Sequence, residues 1–153
     1  MAEYCAEVIW QRGEAAFTDN RYSRAHRWQF DGGLTIAASS SPHSVPLPLS
    51  DAAAVDPEEA FIAALSSCHM LWFLAIAAKR KFRIDRYHDR ATGVMTKNAA
   101  GKWWVSEVTL KPEVQFSGEL LPTRGEIDAM HESAHAECYI ANSVSTHIKI
   151  EAR

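Results

Sequence analysis

The stretch DPEEAFIAALSSCHMLWFLAIAAKRK, residues 56–81, decides the fold of this chain. Asp56 can cap free backbone N–H groups, Pro57 suits the first helical position, and three basic residues follow the last apolar turn. Residues 60–78 carry no formal charge, and apolar side chains occur on every side of the helix. Such a helix must be covered by other structure or by lipid. The sequence therefore predicts one long, buried central helix.

The central helix is just long enough to span a bilayer at 1.5 Å per residue. Polar residues 66–69, SSCH, lie near its middle, and the remaining chain has the composition of an ordinary soluble domain. Packing inside a soluble protein is therefore the better interpretation, and we expect no membrane partner.

Composition narrows the class of protein further. The chain has 153 residues, a net charge of −3 and three cysteines. This length predicts a single domain over residues 1–153, and the mixed charges do not favour nucleic acid as a partner. The N-terminus lacks a basic segment followed by an apolar run, so we expect a cytoplasmic protein whose cysteines begin as thiols.

Alternating and helical patterns along the chain predict an α+β fold. Strands are expected at residues 4–11, on both sides of the turn at residues 31–33, on both sides of the turn at residues 98–101, and at residues 144–150. Residues 39–55 lack periodicity and predict a long loop. Thr123 and Glu126 form a capping-box pattern that opens a second helix, expected to run past Cys138 to Ala141. This order lacks the βαβ alternation of a parallel nucleotide-binding sheet.

The second helix contains His131-Glu132-Ser133-Ala134-His135, which matches the H-E-x-x-H pattern of zinc proteases. His131, His135 and Cys138 share one helical face, so a small metal site is one hypothesis. The third ligand of a catalytic zinc site is missing from the pattern. The alternative is that these histidines border the buried stripe of the helix.

Cys68 and Cys138 suggest a second kind of chemistry. Small residues flank both, which would let two helices approach closely enough for a reversible disulfide. Free cysteine is also among the most buried residue types, so two inert core thiols are the alternative. Cys5 is expected to be an ordinary half-buried thiol of the first strand.

Two segments resemble the cysteine motifs of a known family. These are VDPEE followed by AALSSC, residues 55–68, and AHAECYIANS, residues 134–143. Together they are similar to the osmotically inducible protein C and organic hydroperoxide resistance protein family, and the resemblance extends from about Trp10 to the last strand. It implies an intertwined homodimer in which long central helices are wrapped by curved antiparallel sheets.

The same resemblance implies a cysteine-based peroxidase that reduces organic hydroperoxides to alcohols, with hydrogen peroxide left open as a second substrate. Cys68 corresponds to the attacking cysteine, Cys138 to the resolving cysteine and Glu58 to the carboxylate that holds an arginine. Arg24 is our choice for that arginine by its distance from the turn at residues 31–33; Arg21 and Arg27 are the alternatives. No metal or organic cofactor is expected, and an external dithiol, for example a lipoyl group, would reduce the disulfide. A non-catalytic or metal-binding protein of the same fold remains the alternative.

Overall fold

A computed structural model describes all residues, Met1–Arg153, and divides the chain into two compact units, Met1–Ala60 and Phe61–Arg153. The first unit contains a three-stranded antiparallel sheet of β1 (Ala6–Ile9), β2 (His26–Phe30) and β3 (Thr35–Ala38), in the order β1-β2-β3. The tight turn between β2 and β3 includes Gly33, whose φ of +84° is readily adopted only by glycine. The predicted hairpin is confirmed, whereas the predicted first strand is shorter at both ends. Cys5, expected to be a half-buried thiol of that strand, lies before β1 and is exposed.

The predicted loop leads to the start of the long helix α1 (Pro57–Lys79). It contains turns and one isolated bridge, in which Val55 pairs with Ala38. The carboxylate of Asp56 accepts a hydrogen bond from the Glu59 backbone N–H at 2.8 Å, and Glu59 Oε2 accepts one from the Asp56 N–H at 3.4 Å. This reciprocal cap explains why the helix begins where the sequence predicts.

One stripe of α1 is buried. Leu65, His69, Phe73 and Ala77 recur every four residues and face the interior of the second unit. Other apolar side chains of α1 remain partly accessible, and Leu71 is 59% exposed. By length and composition the helix could cross a membrane, but the core helix of a soluble protein meets the same criteria. Its buried stripe is consistent with a soluble protein.

The strands after α1 form one long, bent hairpin. β4 (Arg83–Asp89) pairs with β7 (Pro112–Ser117), and β5 (Thr92–Lys97) pairs with β6 (Trp103–Leu110), all antiparallel. The hairpin predicted around the turn at residues 98–101 is confirmed, and each of its arms breaks into two strands that belong to different sheets. The break on the second arm falls at Lys111, directly before Pro112, which cannot donate a ladder hydrogen bond.

The helix α2 (Arg124–Glu137) begins with the predicted capping box of Thr123 and Glu126. It ends earlier than predicted, because Cys138 is already its C-cap in an extended conformation, with φ −66° and ψ 112°. A short 3-10 turn at Ala141–Ser143 follows. The last strand β8 (His147–Ile150) pairs parallel with β6, so the sheets are antiparallel except for this one pair.

Two apolar clusters form the core of the second unit. The first, here called the α1–α2 cluster, comprises Phe73, Ala77, Phe82, Met130 and Ala134. The second comprises Leu65, Val108 and Leu110 and lies against the sheet of β5, β6 and β8. The α+β class predicted from the sequence is confirmed.

Candidate active site

The thiols of Cys68 and Cys138 lie together. Cys68 is on α1 and half-buried, whereas Cys138 is at the end of α2 and only 1% exposed; both are free. Burial raises the pKa of Cys138 to about 11, and the neighbouring Cys68 side chain acts in the same direction.

Hydrogen bonds of the turn after α2 hold Cys138 in place. The Ala141 N–H donates to Cys138 Sγ at 3.4 Å, and the Asn142 N–H donates to the Cys138 carbonyl at 3.0 Å. The Asn142 side chain closes the same turn by donating to the Ala136 carbonyl at 2.9 Å, and the Ser143 hydroxyl donates to the Tyr139 carbonyl at 2.7 Å. The Asn-Ser segment therefore holds the loop that carries the Cys138 sulfur.

An open, mainly apolar pocket of about 490 Å³ borders Cys68. Its lining includes Leu71, Trp72 and Ile140, and the Trp72 and Tyr139 rings meet edge to face at 5.6 Å. Trp72 thus lines the pocket. Its neighbour Phe73 is fully buried in the α1–α2 cluster.

The histidines of the H-E-x-x-H pattern take different positions. His131 is buried, and its Nδ1 is 2.9 Å from Nε2 of His69, which is also buried. His135 is half-buried and forms no such bond. No group of three or more His, Cys, Asp or Glu side chains is arranged to hold a metal ion. The geometry gives no support to the hypothesis of a site formed by His131, His135 and Cys138.

Asp89 is a polar anchor of α1 that sequence reasoning missed. Its carboxylate accepts hydrogen bonds from the Ser66 hydroxyl at 2.5 Å and from the Lys111 N–H at 2.6 Å. It stands at the end of β4, where the hairpin bends, and connects that bend to the turn of α1 just before Cys68. Alternation along β4 gave no indication of this role, because Asp89 looks like one more polar residue of the strand.

Arg24 and Glu58 lie in the first unit and do not pair in this chain. The Arg24 guanidinium donates to the carbonyls of Asn20 and Tyr22 and to Asn20 Oδ1, and lies over the Tyr22 ring at 3.9 Å. Glu58 is half-buried and belongs to none of the three salt bridges of the structure. A second apolar pocket, of about 460 Å³, includes Arg24, Trp10 and Phe17 in its wall.

Comparison with protein families places these features in a known context. The family model described as OsmC-like protein matches residues 50–153, which include both cysteines and both helices. The chain belongs to the OsmC-like protein family. No curated protein gave a significant match to this OsmC-like chain.

Solved structures agree with that family. A structure from Vibrio cholerae, described as an OsmC-like protein of unknown function, is 55% identical, and the alignment covers 100% of both chains with a TM-score of 0.98. An organic hydroperoxide resistance protein from Elizabethkingia anophelis is 17% identical over 99% of this chain and 95% of its own, with a TM-score of 0.69. The protein OhrB of Bacillus subtilis, also an organic hydroperoxide resistance protein, is 20% identical over 98% of each chain, with a TM-score of 0.65. These last two likenesses show the shared fold.

Proposed function

We propose that this OsmC-like protein is a thiol peroxidase that reduces organic hydroperoxides. The observation that carries the proposal is that the Cys68 side chain is close enough to Cys138 to raise its pKa and also lines an apolar pocket. Cys68 is the more accessible of the two, whereas Cys138 is buried and keeps its proton at neutral pH. This is the order of access that an attacking and a resolving cysteine require.

The proposed reaction begins with the Cys68 thiolate. It attacks the terminal, hydrogen-bearing peroxide oxygen, the O–O bond breaks, and the departing alkoxide takes a proton from water to leave as ROH, so that Cys68 becomes a sulfenic acid. The Cys138 sulfur then attacks the Cys68 sulfur, and the hydroxyl leaves with the Cys138 proton as water, which gives the disulfide. An external dithiol reduces that disulfide and is itself oxidised. A lipoyl group fits this role by chemistry.

The pocket favours an organic substrate. An alkyl or aryl group of a hydroperoxide can contact Leu71, Trp72 and Ile140, whereas hydrogen peroxide has no apolar part to bury. We therefore expect kcat/KM to be higher for an aryl hydroperoxide than for hydrogen peroxide.

Arg24 is proposed to stabilise the thiolate and to polarise the peroxide, with Glu58 holding its guanidinium by paired hydrogen bonds. In the single chain the guanidinium is held by backbone carbonyls and by Asn20. We propose that a homodimer brings this arginine to a Cys68 site, with the N-terminal segment of one copy completing the site of the other. A cytoplasmic location, where dithiol reductants are maintained, is part of the same proposal.

The test is hydroperoxide consumption with cumene hydroperoxide and dihydrolipoamide. The unmodified protein should turn over, and Cys68→Ser should abolish turnover because the nucleophile is lost. Cys138→Ser should consume one equivalent of peroxide and then stall or over-oxidise, because its sulfenic acid has no partner. Cys5→Ser is the matched control, since Cys5 is exposed and belongs to neither motif.

Steady-state turnover in Cys68→Ser equal to that of the unmodified protein would overturn the mechanism. Turnover that survives in Cys138→Ser at the unmodified rate would leave a one-cysteine peroxidase and remove the disulfide from the proposal. For Arg24, Arg24→Ala should lower kcat/KM well below that of Arg21→Ala and Arg27→Ala.

A further inference from the structure

His69 and His131 form a buried polar link between the two helices that carry the thiols. Their side chains are 1% and 3% exposed, and Nε2 of His69 lies 2.9 Å from Nδ1 of His131. The two ring planes are within 8° of each other, and the His131 ring packs on Phe73 with a centroid distance of 4.2 Å. This pair takes no part in the peroxidase chemistry proposed above.

The link is close to both thiols along the chain. His69 directly follows Cys68 on α1, and His131 precedes Cys138 by seven residues, about two helical turns along the same face of α2. If one helix slid along its axis or rotated against the other at the His69–His131 contact, one sulfur would therefore also move relative to the other.

The two helices also meet through the apolar α1–α2 cluster, which includes Phe73, Met130 and Ala134, and apolar contacts attract without fixing a direction. A hydrogen bond weakens steeply when its angle departs from linear, so it selects one arrangement of the two helices. A disulfide is comparably demanding, because its Cβ–S–S–Cβ angle and Cα separation fall in narrow ranges.

The link also carries a cost. His69 Nδ1 and His131 Nε2 are buried and have no hydrogen-bond partner. In a neutral pair the ring that accepts the bond must carry its own proton on the outward nitrogen, so one N–H donor stays unsatisfied. Two apolar side chains of similar volume would avoid this cost. A directional role for the bond accounts for a polar pair at this position.

We propose that His69 and His131 are positioning residues, whose hydrogen bond holds α1 and α2 in the register that lets Cys138 reach the Cys68 sulfur. The proposal rests on the proposed function for its biological meaning, because disulfide formation is the resolving step of that mechanism. It concerns the reaction between the two thiols and not the attack on the peroxide.

The test measures disulfide formation with diamide, which oxidises paired thiols without any peroxide. The double variant H69L/H131L replaces both partners by apolar groups, so it should fold, but disulfide formation should be about tenfold slower, the effect of losing one intramolecular hydrogen bond. The variant H69Q/H131N places amide groups where Nε2 and Nδ1 now lie and can keep the bond. It should form the disulfide within about threefold of the unmodified rate.

His135→Leu is the matched control, because His135 lies on the same helix and forms no side-chain hydrogen bond; its rate should be unchanged. With cumene hydroperoxide, the H69L/H131L variant should consume the first equivalent at the unmodified rate and accumulate a sulfenic acid that dimedone traps. A purely structural role would instead slow both steps together.

A second comparison applies if H69L/H131L fails to fold. H69Q/H131L, which keeps the amide but lacks its partner, is then compared with H69Q/H131N in the same way.

Equal rates of disulfide formation in H69L/H131L and the unmodified protein, or in H69Q/H131L and H69Q/H131N, would overturn the positioning role. Failure of rescue by H69Q/H131N would overturn it too. If the unmodified protein forms no disulfide with diamide, the resolving step itself is wrong. Normal disulfide formation without peroxide consumption would overturn the proposed peroxidase and leave the positioning role standing.

Discussion

Burial determines the ionisation of the side chains around the thiols. It lowers the pKa of His69 and of His131 to about 4, and nearby histidines act in the same direction: His135 on His69, and His69 on His131. It raises the pKa of Tyr87, and the charge of Asp89 raises it further. At neutral pH the side chains of His69, His131 and Tyr87 are therefore uncharged, and the Cys138 thiol keeps its proton.

The histidine pair predicts a loss of stability in acid. Both pKa values are lower in the folded chain than the ordinary 6.5, so the unfolded chain binds more protons between pH 6.5 and 4. As the pH falls from 6.5 to 4, the free energy of unfolding should decrease by up to about 1.4 kcal/mol per pH unit for each histidine. Above pH 6.5 these two histidines should contribute no further dependence on pH.

Urea unfolding at several pH values between 4 and 8 measures this effect. H69Q/H131N should reduce the dependence of the free energy of unfolding on pH between 4 and 6.5, because amides do not titrate. His43→Asn, at an exposed position, should leave this dependence unchanged. The same slope in H69Q/H131N and the unmodified protein would show that other groups cause the acid loss.

The sequence identified some of these residues and missed others for identifiable reasons. Cys68 and Cys138 stood out because each lies among small residues at a predicted helical position, and in the structure the Cys68 side chain is near enough to raise the pKa of Cys138. His69 did not stand out, because its partner is 62 residues away and nothing local distinguishes a histidine in an apolar helix. Spacing alone could not choose among Arg21, Arg24 and Arg27, since the segment around them is irregular.

Local chemistry at the ends of elements decided where the helices begin. The capping patterns of Asp56 with Glu59 and of Thr123 with Glu126 involve residues three apart, so the sequence was sufficient to predict both helix starts. The end of α2 was predicted too late, because the turn after it depends on hydrogen bonds from Asn142 and Ser143 that compete with the helical pattern. The bend in the long hairpin depends on which of two apolar clusters each strand joins, and alternation does not encode that choice.

The cap of α1 yields a prediction at this scale. Asp56→Ala should lower the free energy of unfolding by about 0.5–2 kcal/mol, because the Glu59 N–H loses its acceptor. Thr123→Ala should have an effect of the same order on α2. Thermal or urea unfolding provides the measurement, with the exposed Glu119→Ala as control. A loss no larger than that of the control would show that the cap does not stabilise the helix.

Several large apolar side chains remain exposed in the single chain, and a second copy could cover them. Only one stripe of α1 is buried, and Leu71, Val94, Trp103 and Tyr139 are exposed by 59%, 51%, 64% and 67% of their surfaces. Soluble monomers rarely tolerate large contiguous apolar patches. A homodimer buries such a face without any further component, and C2 symmetry would provide two equivalent sites.

We therefore expect a homodimer in solution. Light scattering at low micromolar concentration should give twice the 17.0 kDa mass of one chain. Leu71→Arg should weaken the dimer and lower peroxidase activity, because it puts a charge on the exposed face of α1 beside the Cys68 pocket. Leu47→Arg, in the loop before α1 and 60% exposed, is the control. A folded monomer with full activity would contradict both the dimer and a site shared between copies.

The bend in the long hairpin constrains how this chain can change over evolutionary time. Asp89 pairs with Pro112 and Thr92 with Thr109, so the two arms keep the same pairing register on both sides of the bend. One ribbon thereby delivers side chains to two separate apolar clusters. Lengthening the tip at residues 98–101 disturbs neither apolar cluster. One residue inserted near the bend in either arm would move the apolar side chains of the following strand to the opposite face of its sheet. Homologous chains should therefore vary in length at the tip and keep the spacing on either side of the bend.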